Sequence, residues 1–443
     1  MREAEQGGQL GDERDSGGAM QQLAFDPADA KAALAQLPQK AAVFALYGAE
    51  AHLEPYIGRT PNLRGRLERL LQPSARHPRR LQLAGRVRRI AWRLTGSEFE
   101  SLLAQFSLLE SVYGAKALER MHLRNPAFVR FLGSNRYPRI TVTHRPSQRE
   151  AEWSYGPFAS RATAERFADE ALKLFLLRRC TDDLDPDPSH PGCVYSEMKM
   201  CLAPCYKGCT DERYGEEAAA VQAFIASRGE SRLVTLRAQR EMAAENLEFE
   251  AAAAVHAQVQ RVEAVRALAP ELVRPLSELR VVILQPSAEP AEVAVFLFLD
   301  GRLRGPQSFS TLGMRIQNEQ SGSSSLFAQP LAIEPIPETS AVSAATAQEE
   351  APEVKTKLAR NLLEARMDAV LEALAERGAP PASATERQGH MALLKRWYYR
   401  PEVRRTGEIF FADGDGHWPV RSILRGVGRI AAKAFAAPAE SAN

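Results

Sequence analysis

All five cysteines of this 443-residue chain fall within thirty residues, from Cys180 to Cys209. Cysteines used only as small core hydrophobes do not gather in this way, so a shared task is the better reading. The spacing of Cys180, Cys193, Cys201, Cys205 and Cys209 lets several thiolates converge on one soft metal centre, either tetrahedral zinc or an iron–sulfur cluster. Disulfides and redox-active thiols are the competing readings. A long chain with no secretory signal core points instead to a reducing cytosol, and so to a cytoplasmic protein.

No apolar run approaches the roughly 20 residues needed to cross a bilayer, which excludes a helical membrane protein. The formal charge of +2 is close to neutral, but it hides a local excess. Between Arg59 and Arg93 stand Arg64, Arg66, Arg69, Arg76, Arg79, Arg80, Arg86, Arg88 and Arg89, with Glu68 as the opposing charge. An arginine-dominated stretch of this density is a candidate phosphate-binding face, with a solvated charged surface as the bland alternative.

The pattern along the chain predicts an α+β multidomain protein. Residues 1–38 read as a disordered leader. In 39–135, apolar runs at Ala41–Gly48 and Glu54–Thr60 form a hairpin. Thr60 caps a following helix that has Pro61 in its first turn. Arg88–Leu94 is a third strand, and a second helix runs from Glu98 through Leu109. Segment 136–215 carries an edge strand at Arg139–Arg145 and a helix over 162–177, then the cysteines. Segment 216–270 is a helical hairpin, with Leu233, Leu236, Met242 and Leu247 on one apolar face and Ala252, Val255, Val259 and Val262 on the other seam. Residues 271–316 are β-rich, with Asp300-Gly301 as a hairpin turn. Residues 317–357 are a low-complexity insert, and 358–443 add a helix and strands. Asp413 and Asp415 lie in a Gly-rich turn and read as turn residues.

The cysteine spacing, the preceding Tyr155–Phe158 (YGPF) and Leu174–Cys180 (LFLLRRC), and the later Met242–Ala253 (MAAENLEFEAAA) together resemble the bacterial UvrC family, the UvrC component of the ABC excinuclease. The order hairpin, helix, strand, helix, with Tyr56-Ile57-Gly58 written out, resembles the GIY-YIG nuclease domain of that family. The resemblance implies a role in nucleotide excision repair on damaged DNA, with Mg²⁺ or Mn²⁺ at the nuclease site. It implies Tyr56, Arg59 and Arg66 as catalytic positions, and a DNA-binding face at Arg64, Arg69, Arg86, Arg88 and Arg89. For the cysteines it implies a [4Fe–4S] cluster, with zinc as the alternative, on Cys180, Cys193, Cys201 and Cys205. The 242–253 segment resembles the UVR motif, which implies docking on UvrB through Leu247, Phe249, Ala252 and Ala253.

The nuclease pattern departs from the family at three points. Phe44 stands where the family keeps its first tyrosine, and Arg59 where it keeps a lysine. Gln105 stands where it keeps a metal-binding glutamate, and an amide is a far poorer magnesium ligand than a carboxylate. A shifted alignment offers Glu110 instead. The RNase H-like and helix-hairpin-helix domains of the family are not expected in this chain. Two functions follow as expectations: a UvrC-like endonuclease acting with UvrB, or a catalytically degenerate adaptor that binds DNA and UvrB. A metal-dependent DNA-binding regulator unrelated to repair is a third, resting only on the cysteines and arginines.

Overall fold

A computed structural model describes residues 20–50, 52–71, 83, 85–146, 148–312, 314, 352–376 and 382–436. Arg76, Arg79, Arg80 and most of the expected 317–357 insert lie outside the described residues.

The first unit opens with β1 (Gln21–Ala24) and the short α1 (Ala30–Ala35), followed by the hairpin β2 (Ala42–Gly48) and β3 (Tyr56–Thr60). Then come α2 (Leu63–Leu71), β4 (Val87–Leu94), α3 (Glu98–Tyr113) and the single turn α4 (Ala117–Arg120). The strands form an antiparallel sheet in the order β1-β4-β2-β3. Among the described residues, β1 and α1 lie inside the stretch expected to be a leader to residue 38, because β1 completes the sheet edge beside β4. The cap of α2 also differs from expectation. Asn62, not Thr60, accepts the Gly65 N–H (2.9 Å), while Thr60 ends β3 and its hydroxyl bonds the Asn62 backbone. One face of the sheet, with Ala42, Phe44 and Leu46, packs on Leu34, Leu37, Leu63, Leu67 and Leu71. The strand period of two turns the alternate residues the other way, and Ile57 of β3 packs among the residues of α3.

The second unit holds β5 (Ala127–Phe131), β6 (Ile140–Thr143), β7 (Ser154–Phe158) and α5 (Arg161–Leu172). The one-turn α6 (Val194–Glu197) lies among the cysteines, followed by α7 (Asp211–Ala226), α8 (Glu230–Glu245), α9 (Phe249–Ala267) and the two-residue β8 (Arg274–Pro275). Its sheet runs β6-β5-β7-β8, so β6 is an edge strand as its alternating sequence predicts. The helix expected to reach 177 stops at Leu172; after a turn, Phe175 and Leu177 enter the same core.

The third unit is a sheet ordered β11-β10-β9-β12, from β9 (Val281–Pro286), β10 (Glu292–Leu299), β11 (Arg302–Ser310) and β12 (Glu408–Phe411). Three helices accompany it: α10 (Pro352–Glu376), α11 (Ala384–Tyr398) and α12 (Val420–Ala436). The named elements of 271–316 are all strands, while among the described residues the 358–443 part holds α11, α12, most of α10 and one strand, β12, where a helix and strands were expected. Strands β9 and β10 are apolar on both faces, which requires cover on both sides. Val282, Leu284, Val295 and Leu297 pack on α10 and α12. Val281, Ile283, Phe296 and Phe298 pack on α11 and on α3 of the first unit. Phe99 of α3 meets Phe296 edge-on at 5.2 Å and Trp397 at 5.5 Å. Asp300 and Gly301 both take positive φ between β10 and β11, as the hairpin turn requires.

Candidate cysteine centre and nucleic-acid interface

The chain reaches the cysteines along Phe175–Leu177, anchored in the core of the second unit. Arg178 follows and is only 2% exposed. Its Nε donates to the Tyr137 carbonyl (3.0 Å), and its Nη1 donates to the Asp182 carbonyl (2.7 Å) and approaches Cys180 Sγ at 3.7 Å. The Tyr214 hydroxyl of α7 accepts the Arg178 N–H (3.2 Å) and donates to the Pro138 carbonyl (2.8 Å). The loop then folds back on itself. Left-handed backbone at Lys199, Ala203 and Lys207 makes the tight turns that bring Cys201 and Cys205 to the same place. The Ala203 N–H donates to Cys201 Sγ (3.3 Å).

Burial pushes the Cys201 thiol up to about 11, and the neighbouring thiols of Cys180, Cys205 and Cys193 add to the effect. Cys205 is raised by burial too, with Cys193 and Cys180 contributing. These four therefore share one locus. Cys209 stands aside, beside Asp211 and Arg213, with Cys205 a weaker neighbour. All five are free thiols. No three of them lie within 4.8 Å of one another; among the described residues that spacing is met by Asp413, Asp415 and His417, all exposed. In that trio the Asp413 carboxylate accepts the Asp415 and His417 N–H groups, as a turn residue does. Four soft donors, Cys205 buried and the other three partly buried, with an N–H···S bond at Cys201, fit a thiolate-held metal or cluster.

In the first unit the proposed catalytic positions divide between two layers. Phe44 is fully buried opposite Gly58, its ring so close that a Cβ on Gly58 would sit 2.8 Å from Cζ. Tyr56, half exposed, is 6.1 Å from Phe44 ring to ring. Arg66 lies half-buried on α2. Gln105 is on α3, which packs below Ile57 on the other side of the sheet. No hydrogen bond joins Tyr56, Arg66 and Gln105 among the described residues. Glu110 is engaged elsewhere: its carboxylate accepts from Ser383, the residue that caps α11, and burial raises its pKa.

Glu98, which sequence reading passed over, sits two turns before Gln105 on the same face of α3. It pairs with Arg59 (3.5 Å) and, through both oxygens, with Arg400 after α11 (2.6 and 2.8 Å). The Arg400 bonds hold its carboxyl below the usual range. An interaction between residues 302 positions apart leaves no local pattern in a sequence. Of the arginine face, Arg64 donates to the Leu37 carbonyl and Arg69 to Gly65. Arg88 donates to the Gly85 and Val87 carbonyls. Arg89 stacks on Tyr47 (3.8 Å) and donates to Gln22, while Arg86 is exposed.

The profile of the family described as "UvrC/Cho excinuclease, middle domain" matches residues 128–224, a span that contains β5–β7, all five cysteines, Arg178 and Tyr214. UvrABC system protein C of Alcanivorax borkumensis is 28% identical over 285 residues, 64% of this chain and 46% of that protein. The protein of the same name from Ruminiclostridium cellulolyticum is 26% identical over 284 residues, 63% of this chain and 46% of that one. Residues 128–224 thus match the UvrC/Cho middle domain, and the chain is similar to UvrC proteins over about 64% of its length. It spans less than half the length of these curated relatives. No solved structure matches it.

Beyond the matched middle segment, α8 and α9 form an antiparallel hairpin. Its base is buried through Leu233, Leu236, Val259, Val262 and Val265, and tied by Arg237 and Arg266 to Glu230 and by Arg237 to Glu263. Its tip is bare: Met242, Leu247 and Phe249 are 62%, 70% and 69% exposed. The single apolar face expected through Leu233, Leu236, Met242 and Leu247 thus splits, the first two serving the core and the last two facing outward. Ala252 is half-buried and Ala253 exposed. Leu247 takes positive φ at the turn, which directs the chain into α9 at Phe249.

Proposed function

We propose that this chain serves nucleotide excision repair as a DNA- and UvrB-binding component whose nuclease-like module is catalytically degenerate. The observation that carries the reading is the pairing of a UvrC-family middle segment with a GIY-YIG-like module in which Phe44 and Gln105 occupy the phenol and carboxylate positions. Metal-assisted phosphodiester cleavage needs an anionic ligand to place the ion and a group to orient the attacking water. Gln105 supplies no charge. Phe44 is sealed in the core without a hydroxyl, and Glu110 is committed to Ser383. Arginines 59, 64, 66, 69, 86, 88 and 89 hold the backbone of DNA through its phosphates, and the bare tip of α8–α9 docks on UvrB.

In this reading Cys180, Cys193, Cys201 and Cys205 hold a [4Fe–4S] cluster. The cluster supplies a rigid, redox-capable staple for the loop after α5. Protein purified without oxygen is expected to be brown and to contain iron and sulfide. A colourless protein with neither iron nor zinc removes the cofactor from the reading.

The catalytic part is tested with a lesion-bearing duplex and Mg²⁺ or Mn²⁺. The expected result is little or no nicking by the unaltered chain, and metal-dependent nicking after Gln105→Glu with Phe44→Tyr, lost again on adding Arg66→Ala. Efficient cutting by the unaltered chain that Glu110→Gln abolishes would instead establish the second reading, a working excinuclease.

A further inference from the structure

Arg178 presents an electrostatic problem that the free chain does not solve. A guanidinium at 2% exposure carries a full positive charge into the interior, where an isolated ion is very costly. Buried arginines ordinarily face a carboxylate. Here the partners are the carbonyls of Tyr137 and Asp182 and the sulfur of Cys180, and no carboxylate pairs with Arg178 among the described residues. The carbonyl dipoles accept from Nε and Nη1 but bring no full countercharge. Among the neighbouring groups that can become anionic are the thiol of Cys180, 3.7 Å from Arg178 Nη1, and that of Cys201, both of which act on the Tyr214 phenol that Arg178 also reaches.

The complementary problem belongs to the cysteines. Four thiolates around a dipositive centre, whether zinc or an oxidised [4Fe–4S] core, leave two surplus negative charges to be stabilised out of water.

We propose that Arg178 is the buried counter-cation of the four-thiolate centre, a positioning residue whose Nη1 donates to the Cys180 thiolate and whose charge opposes the surplus of the loaded site. This rests on the cofactor reading above and goes beyond it by assigning a specific residue outside the ligand set. The centre and the cation each remove the desolvation cost of the other. Residue 178 should therefore govern both affinity for the metal and, for a cluster, its reduction potential. Reduction adds a further electron to an already anionic centre, which a nearby cation favours.

The test compares full-length wild type, Arg178→Lys and Arg178→Gln. Reduced apo-protein is titrated with Zn²⁺ against a chromophoric chelator, and the reconstituted cluster is titrated to its midpoint potential. Circular dichroism checks that each chain is folded. The Gln chain is expected to lose roughly 10- to 100-fold in Zn²⁺ affinity, the range seen when partners of metal ligands are removed, and to shift its cluster to a lower potential. The Lys chain should stay within a few-fold of wild type in affinity and close to it in potential, a rescue that a merely structural role for the planar guanidinium would not give. Folded Gln chain with wild-type affinity and potential overturns the proposal. So does a folded Lys chain that loses the metal tenfold or more; if the Gln chain does not fold, this comparison with wild type decides alone. Wild type that binds neither zinc nor a cluster overturns the cofactor reading itself, and the proposal with it.

Discussion

Gly389 lies inside α11, where glycine ordinarily weakens a helix by about 0.5–1 kcal/mol relative to alanine. A Cβ there would come within 2.0 Å of the Phe106 ring of α3, so glycine is what lets the two helices touch. Overpacking a filled contact costs about 1–3 kcal/mol, which outweighs the propensity gain. Gly389→Ala is expected to lower the unfolding free energy, measured by chemical denaturation. Gly428→Ala in α12, with nothing within 4 Å of the new methyl, should raise it by up to about 1 kcal/mol. One residue on from Gly389, buried His390 accepts the Leu303 N–H at 3.0 Å, and burial lowers its pKa to about 3. The unfolded chain binds a proton near pH 6.5 that the folded chain refuses. Its contribution is whole above about pH 6.5 and is lost as pH falls from there toward 3. His390→Gln, which keeps an acceptor, should flatten the fall in melting temperature across that window; an unchanged pH profile would contradict the assignment.

At the scale of elements, the hairpin of α8 and α9 has two chemically distinct ends. Leu233 at the base is fully buried, and a leucine truncated to alanine in such a site costs about 2–5 kcal/mol. Phe249 at the tip is 69% exposed, so its loss should leave the melting temperature alone. If the tip docks on UvrB, an aromatic anchor of this kind accounts for about 2 kcal/mol or more of binding. Phe249→Ala should therefore weaken UvrB binding by isothermal titration without changing thermal stability, while Leu233→Ala does the reverse. Equal UvrB affinity for Phe249→Ala and wild type would remove the tip from the interface. Element α3 also serves two units at once. Its Phe99 and Phe106 join the C-terminal sheet and α11, while Glu98 faces β3 through Arg59.

Across the whole molecule, the arginines of the first unit and the exposed tip of the second belong to different units, which suits the proposed component that holds DNA and a partner together. Phosphate-dominated binding falls with salt at a slope of about 0.9 per neutralised phosphate. Replacing Arg86, Arg88 and Arg89 together with alanine is expected to weaken duplex binding and flatten the slope by up to about three such contacts. Fluorescence anisotropy over a salt series measures this, and an affinity indifferent to salt would leave the arginines as a solvated surface. The Arg400–Glu98–Arg59 linkage joins the third unit to the first.

Much of this protein was legible from local pattern. Alternation marks β6 as an edge strand and Asp300-Gly301 marks the turn after β10, because each follows from short-range geometry. The continuous apolar runs of β9 and β10 announce cover on both faces but cannot say what supplies it; the answer, α3 and α11 on one side and α10 and α12 on the other, comes from packing across the chain. The same division holds at the sites. Sequence alone singled out the four cysteines, Phe44 and Gln105 by residue type and spacing. Only the tertiary structure set Arg178 beside Cys180 with no carboxylate paired to it among the described residues, engaged Glu110 with Ser383, and paired Glu98 with Arg400. Charge and burial are properties of the folded environment, and a lone arginine in a sequence carries no mark of where water will be excluded.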